Sequence, residues 1–230
     1  MKYEVTISES ALRMMTLATL EAYALGDGRK RRSKNEIAVE TLGYLWGVKR
    51  VSLEGTFIHV DMASMSISAK RSKDGVTPNK KAIQLKAALM DRWAPHLTLM
   101  GDFHSHPYAN HKEVKKIQGF EFSNADEEAF LGDDFVWDSA EGMPIMIVMT
   151  VCKLSKVNES LSATFVRNNI NSFDVGEYRF WLNVAIGYLK DETNDHTIKK
   201  NRQWTGNKHS SVELRLDSRF YNYSSDRLEN

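Results

Sequence analysis

The chain has 230 residues, 42% of them hydrophobic and 27% charged, with a formal net charge of +1. That is the balance of a globular chain able to bury a sizeable core, with no sign of a low-complexity segment or a dedicated polyanion binder. The lone cysteine, Cys152, excludes an internal disulfide framework and any multi-cysteine metal site, and its apolar surroundings (144–151) suit a buried, inert thiol.

In chain order, Lys2 to Ile7 alternates as a short strand, and Ser8 caps a helix carrying Leu12, Met15, Leu17, Leu20 and Ala24. Glu4 and Glu9 break up the N-terminus before any long apolar stretch, so a signal peptide is not expected. No run approaches the roughly 20 apolar residues that span a bilayer, and a cytoplasmic protein is the expectation. The basic stretch Arg29 to Lys34 reads as a solvated loop rather than a nucleic-acid site. Ile37 to Val48 and Thr56 to Ile67 read as strands. Thr77 and Pro78 then open a helix by cap and first-turn proline, and Pro95 stops it. Leu97 to His104 is a compact apolar segment, with Pro107 expected to end the strand.

After Ser123 the acids Asp126, Glu127 and Glu128 suit the positive end of a helix. Pro144 to Val151 predicts a central buried strand. Leu161 to Arg167 predicts a further strand, as does the alternation from Phe180 to Tyr188. Val212, Leu214 and Leu216 predict the last one. The expected architecture is a single α/β domain with a mixed, curved sheet flanked by helices. Residues 1–190 would form the main body, and 191–230 an extension adding a strand to it.

The chemistry concentrates at His104-Ser105-His106-Pro107. A strand turns its side chains over every two residues, so both imidazoles project to one side. Ser123 and Asp126, three apart, would share a face on the first turn of a helix, and Asp126 can supply a third ligand. Three nitrogen and oxygen ligands leave a fourth Zn²⁺ position for water, as in catalytic zinc sites. Zinc lowers the pKa of water from about 15.7 to about 7, and a carboxylate must still take the proton. Glu40, in a mostly apolar segment, is the candidate, because a buried acid without a role costs free energy.

Each feature also has a plain alternative: paired strand histidines that only pack, a Ser-x-x-Asp cap, an edge-strand carboxylate. Together, Glu40 with Thr41-Leu42-Gly43-Tyr44-Leu45-Trp46-Gly47, then Gly101-Asp102-Phe103-His104-Ser105-His106-Pro107, then Ser123-Asn124-Ala125-Asp126, resemble the JAB1/MPN/Mov34 metalloenzymes and their JAMM motif. The likeness runs from about residue 3 to about 190 and is to the prokaryotic type of member. It implies an MPN-type fold with a cytidine-deaminase-like layout and one Zn²⁺ per chain. By the same resemblance, His104, His106 and Asp126 match the zinc ligands, Glu40 the general base, and Ser123 the hydroxyl that stabilises the oxyanion. The implied activity is hydrolysis of peptide or isopeptide bonds, with a ubiquitin-like protein or its conjugate as substrate.

One departure is plain: 16 residues separate His106 from Ser123, more than the family's usual spacing. The extra segment, within 108–122, is a candidate lid or substrate loop, and it makes His111 a rival third ligand. A non-catalytic MPN-like scaffold is the competing reading, disfavoured by the complete motif. A nucleobase deaminase needs His-x-Glu and Pro-Cys-x-x-Cys, which one cysteine cannot provide. The other histidines, His59, His96, His196 and His209, have no matching ligand partner, and the Met143, Met146 and Met149 run and Trp181 are expected to pack rather than bind.

Overall fold

The computed structural model describes residues 2–26, 38–158, 163–190, 199–207 and 211–217. Its elements in chain order are β1 (Tyr3–Ser8), α1 (Glu9–Leu25), β2 (Leu42–Ser52), β3 (Gly55–Met65), β4 (Lys70–Arg71), β5 (Val76–Thr77), α2 (Lys80–Trp93), β6 (Thr98–Tyr108), α3 (His111–Ile117), α4 (Asn124–Gly132), α5 (Asp134–Ser139), β7 (Ile145–Lys153), β8 (Thr164–Arg167), β9 (Ile170–Val175), β10 (Tyr178–Leu189), β11 (Arg202–Trp204) and β12 (Val212–Asp217).

A mixed sheet runs in the order β12-β1-β3-β2-β6-β7-β10-β9-β8, with β11 on β10, while β4 and β5 form a separate hairpin. Pairing is parallel at β12–β1, β1–β3 and β6–β7 and antiparallel elsewhere. The sheet curls until its ends meet. Leu214 N donates to Asn168 O (2.7 Å) in the β8–β9 turn, and Asn171 Nδ2 donates to Leu214 O (3.2 Å). The result is an α/β domain built on a half-barrel.

Ser8 caps α1 by accepting from Ala11 N (3.1 Å), and the helix lays Ala11, Leu12 and Met15 into the curl. There they meet Leu45, Phe103, Ile147, Phe180 and Leu182, side chains that water never reaches. The opposite face carries Leu42, Tyr44, Met146 and Val148 and is covered by α2, α4 and α5. Because β6 alternates, Phe103 faces α1 while Asp102, His104 and His106 face the outer helices. Cys152, Met146 and Met149 are buried, and burial raises the Cys152 thiol to about 11, as an inert core residue requires.

Several expectations need correction. The first long strand starts at Leu42, and Ala38 to Thr41 are not strand, because Glu40 N donates to Ser72 O (2.8 Å) beside the β4–β5 hairpin rather than to a sheet neighbour; Ile37 lies outside the described residues. The cap of α2 is Asn79, which accepts from Lys81 N (3.1 Å); Thr77 is held in β5 opposite Lys70. Pro107 does not end β6, which pairs with β7 through Tyr108. Ser105 N points to the β2 side, at Thr41 O. Pro107, two residues on, faces the same edge beyond the last pair with β2, so its missing N–H costs no ladder bond. The elements β4, β5, α3, α5, β9 and β11 are absent from the sequence-based expectation. The basic stretch Arg29 to Lys34, His196 and His209 lie outside the described residues.

Candidate metal centre

Two elements from distant parts of the chain meet at the His-Ser-His strand. On α4, Ser123 and Asp126 form a reciprocal capping box: Asp126 N donates to Ser123 Oγ (3.2 Å) and Ser123 N donates to Asp126 Oδ2 (2.6 Å). The cap and the ligand reading are therefore compatible, because the box aims the Asp126 carboxylate at β6. Asp126 Oδ1 lies 3.1 Å from His104 Nε2, Asp126 Oδ2 lies 3.5 Å from His106 Nε2, and the two Nε2 atoms are 3.2 Å apart.

These distances test whether an ion fits. Ligands bonded at about 2.0–2.1 Å in a tetrahedron stand about 3.3 Å from one another. The separations of 3.1, 3.2 and 3.5 Å lie near that spacing, with the two Asp126 oxygens each facing one histidine. His104, His106 and Asp126 form a group that could hold a metal ion. Burial alone would raise the Asp126 carboxyl, but hydrogen bonds to both imidazoles hold it well below the usual range. Burial pushes His104 down despite Asp126. His106 is also penalised by burial, yet the bond to Asp126 leaves it raised.

Glu40 is buried and lines the same cavity as these three residues. Burial lifts its pKa to about 7; His106 opposes that rise, while Asp126 and Asp74 add to it. Such a carboxylate is poised to exchange protons near neutral pH. Ser105, the residue between the histidines, fixes its position. Its N donates to Thr41 O (3.0 Å) and its Oγ accepts from Thr41 N (2.9 Å), so the residue next to Glu40 is held on both backbone sides.

The segment 108–122 has a structural part in the site. His106 Nδ1 approaches Gly119 O (3.3 Å), which also accepts from Thr150 Oγ1 (2.9 Å). A proton on Nδ1 donated to that carbonyl leaves the Nε2 lone pair facing Asp126 and the ion position. Gly119 packs under Tyr108, whose ring would lie 2.5 Å from any added Cβ. Phe122 N and O both bond to the Asn207 side chain (2.7 and 3.0 Å), which anchors the end of the segment. His111 is directed elsewhere: it stacks on Trp181 at 5.6 Å and is not among the grouped ligands.

Thr150 is the cross-strand partner of His106 and is fully buried. Thr150→Val keeps the volume and frees the Gly119 carbonyl. The expected result is a roughly 10-fold loss of divalent-ion affinity, the lower end for such supporting partners, measured by competition with a chromophoric chelator. An unchanged affinity would remove Thr150 from the site.

The cavity over these groups measures ≈ 550 Å³ and is lined also by Lys73 and Asp74 of the β4–β5 hairpin, Asp102, Asp133 and Phe130. Sequence reasoning missed Ser105, Gly119, Thr150 and Asp102. A hydroxyl inside the apolar run 144–151 was the one sign of Thr150, and Asp102 shares the strand parity of the histidines.

No family model matches the sequence, and no curated protein matches it. Among solved structures, the solution structure of protein DSY2949 from Desulfitobacterium hafniense is similar at a TM-score of 0.36 and 15% identity, covering 64% of this chain and 74% of that one. Among the described residues, no helix is long and apolar enough to cross a membrane.

Proposed function

We propose that this protein is a zinc-dependent hydrolase of peptide or isopeptide bonds, of the JAMM type, with an MPN-like layout and a cytoplasmic setting. The observation that supports it most is the convergence of a two-histidine, one-carboxylate triangle with a proton-accepting carboxylate in a single cavity. His104, His106 and Asp126 would hold Zn²⁺, one per chain. When bound, the ion supplies a Lewis acid that polarises the scissile carbonyl and acidifies water.

The chain's own residues do the rest. Glu40 accepts a proton from the attacking water and returns it to the leaving amine as the C–N bond breaks. The Ser123 hydroxyl keeps its hydrogen free for the carbonyl oxygen while its own oxygen accepts from Asp126 N, a donor aimed where negative charge develops. Ser105 and Thr41 keep Glu40 in place during this exchange.

The substrate class follows the motif resemblance: the C-terminal end of a ubiquitin-like protein or its conjugate. Incubating the zinc-loaded protein with ubiquitin-like C-terminal fusions, with and without a chelator, tests it. Cleavage at the fusion joint that chelation abolishes is the expected result. A preparation that takes up no zinc would instead favour a non-catalytic scaffold.

A further inference from the structure

Two residues before His104, on the same face of β6, a carboxylate stands without a partner. Asp102 lies between Tyr44 on β2 and Met146 on β7 and lines the cavity. It is half-buried, and among the described residues its carboxylate makes no hydrogen bond or ion pair. The charges acting on it are those of Asp133 and Asp126, both of its own sign. A half-buried carboxylate that faces a cavity and meets only charges of its own sign has its counterpart in a cation brought by a ligand.

The surroundings indicate which group. Asp133, the cap of α5, accepts from Val136 N with Oδ1 (3.3 Å) and lines the same cavity. Leu42, Phe130 and Met146 supply apolar wall beside these two acids, and Phe130 and Met146 pack in one cluster. Apolar walls with a carboxylate floor complement an aliphatic stem that ends in a cation. Among the lining residues Lys73 is the only lysine or arginine, and it sits on the β4–β5 hairpin with Asp74. Asp102 is two strand residues from His104, about 7 Å along β6, which places it beside the scissile bond rather than at it.

We infer that the Asp102 end of the cavity is a subsite for a cationic side chain, so that the substrate carries a lysine or arginine next to the amide that is cut. This rests on the hydrolase reading for the word substrate, whereas the subsite itself is a matter of binding. Asp102 and Asp133 act as specificity residues: they hold the cationic head and leave the reacting atoms to Glu40, Ser123 and the ion.

The test separates binding from turnover. Zinc-loaded Glu40→Gln protein is titrated calorimetrically with acetyl-Gly-Gly-Lys-Gly-Gly-amide and with counterparts carrying norleucine, arginine or glutamate at the central position. The lysine peptide is expected to bind at least about 10-fold tighter than its norleucine counterpart, equivalent to about 1.4 kcal/mol. Asp102→Asn is expected to erase the difference, and Asp133→Asn, which keeps a good cap, to reduce it. Circular dichroism and zinc stoichiometry check that both variants remain folded. Equal affinity for lysine and norleucine, no binding of either, or a second zinc ion lost in Asp102→Asn overturns the subsite. A glutamate peptide that binds as tightly as the lysine or arginine peptide overturns the cationic preference. The hydrolase reading is read separately, from cleavage of the norleucine peptide and of the fusions by the unmodified protein.

Discussion

Glu40→Gln is expected to lower kcat by about 10²–10⁴-fold, the usual contribution of a positioned proton carrier, while leaving zinc stoichiometry unchanged. Glutamine keeps the shape and the backbone bond to Ser72 but cannot take a proton from water. Ion-free, Glu40 titrates at about 7 because burial disfavours its charged form. A divalent cation beside it favours ionisation, so in the metal-loaded protein any hydrolysis rate should rise with pH through a midpoint below about 7. The ion-free protein gives an independent readout. Its folded-state pKa of about 7 exceeds the ordinary 4.5, so the favourable contribution of protonated Glu40 is complete below 4.5 and is lost as pH rises through 7. In chelator, Glu40→Gln should therefore match the wild type near pH 4.5 and exceed it at pH 8 by up to about 3 kcal/mol, at 1.36 kcal/mol per unit. Urea denaturation at the two pH values measures this. Equal stability at both, with kcat unchanged, would remove Glu40 from the mechanism.

How far the sequence foretold this centre depends on how local each signal is. The run 144–151 and the alternation at 180–188 announce β7 and β10, because a buried strand and a period of two need no distant information. The same period places both histidines on one side. β9 gives no apolar signal because its buried residues, on both faces, include Asn171 and Asp174, whose partners are Leu214 O, Asn158 and Arg179. Polar residues satisfied by remote partners do not look like a core strand. α3 is seven residues long and buries only Val114, too little for an apolar stripe. The Gly119 carbonyl that orients His106 is backbone, with no side chain to announce it. Glu40 was singled out for being out of place in a strand. It is instead in the link before β2, and its burial comes from the β4–β5 hairpin and the helix side of the cavity.

Removing a ligand is expected to cost more than removing a support. Partners behind a ligand are worth 10–100-fold in metal affinity, so His106→Ala should weaken zinc binding by more than about 100-fold. The wild type at a free zinc concentration 100 times Kd should gain about 2.7 kcal/mol of stability, and His106→Ala should gain almost none at that concentration. Asp126 requires a gentler change, because alanine there would also break the capping box with Ser123. Asp126→Asn keeps an oxygen to accept from Ser123 N and so preserves the start of α4, while removing the negative charge that faces His104 and His106. If Asp126 is the third ligand, Asp126→Asn retains its helix content yet melts in zinc at nearly the temperature it shows in chelator. If instead it keeps the wild-type zinc-dependent rise in Tm, the ion is held without the Asp126 carboxylate. The contacts of 3.1–3.5 Å would then mark a hydrogen-bonded cluster and not a coordination sphere. Thermal melts with and without zinc for the wild type, His106→Ala and Asp126→Asn decide between the two.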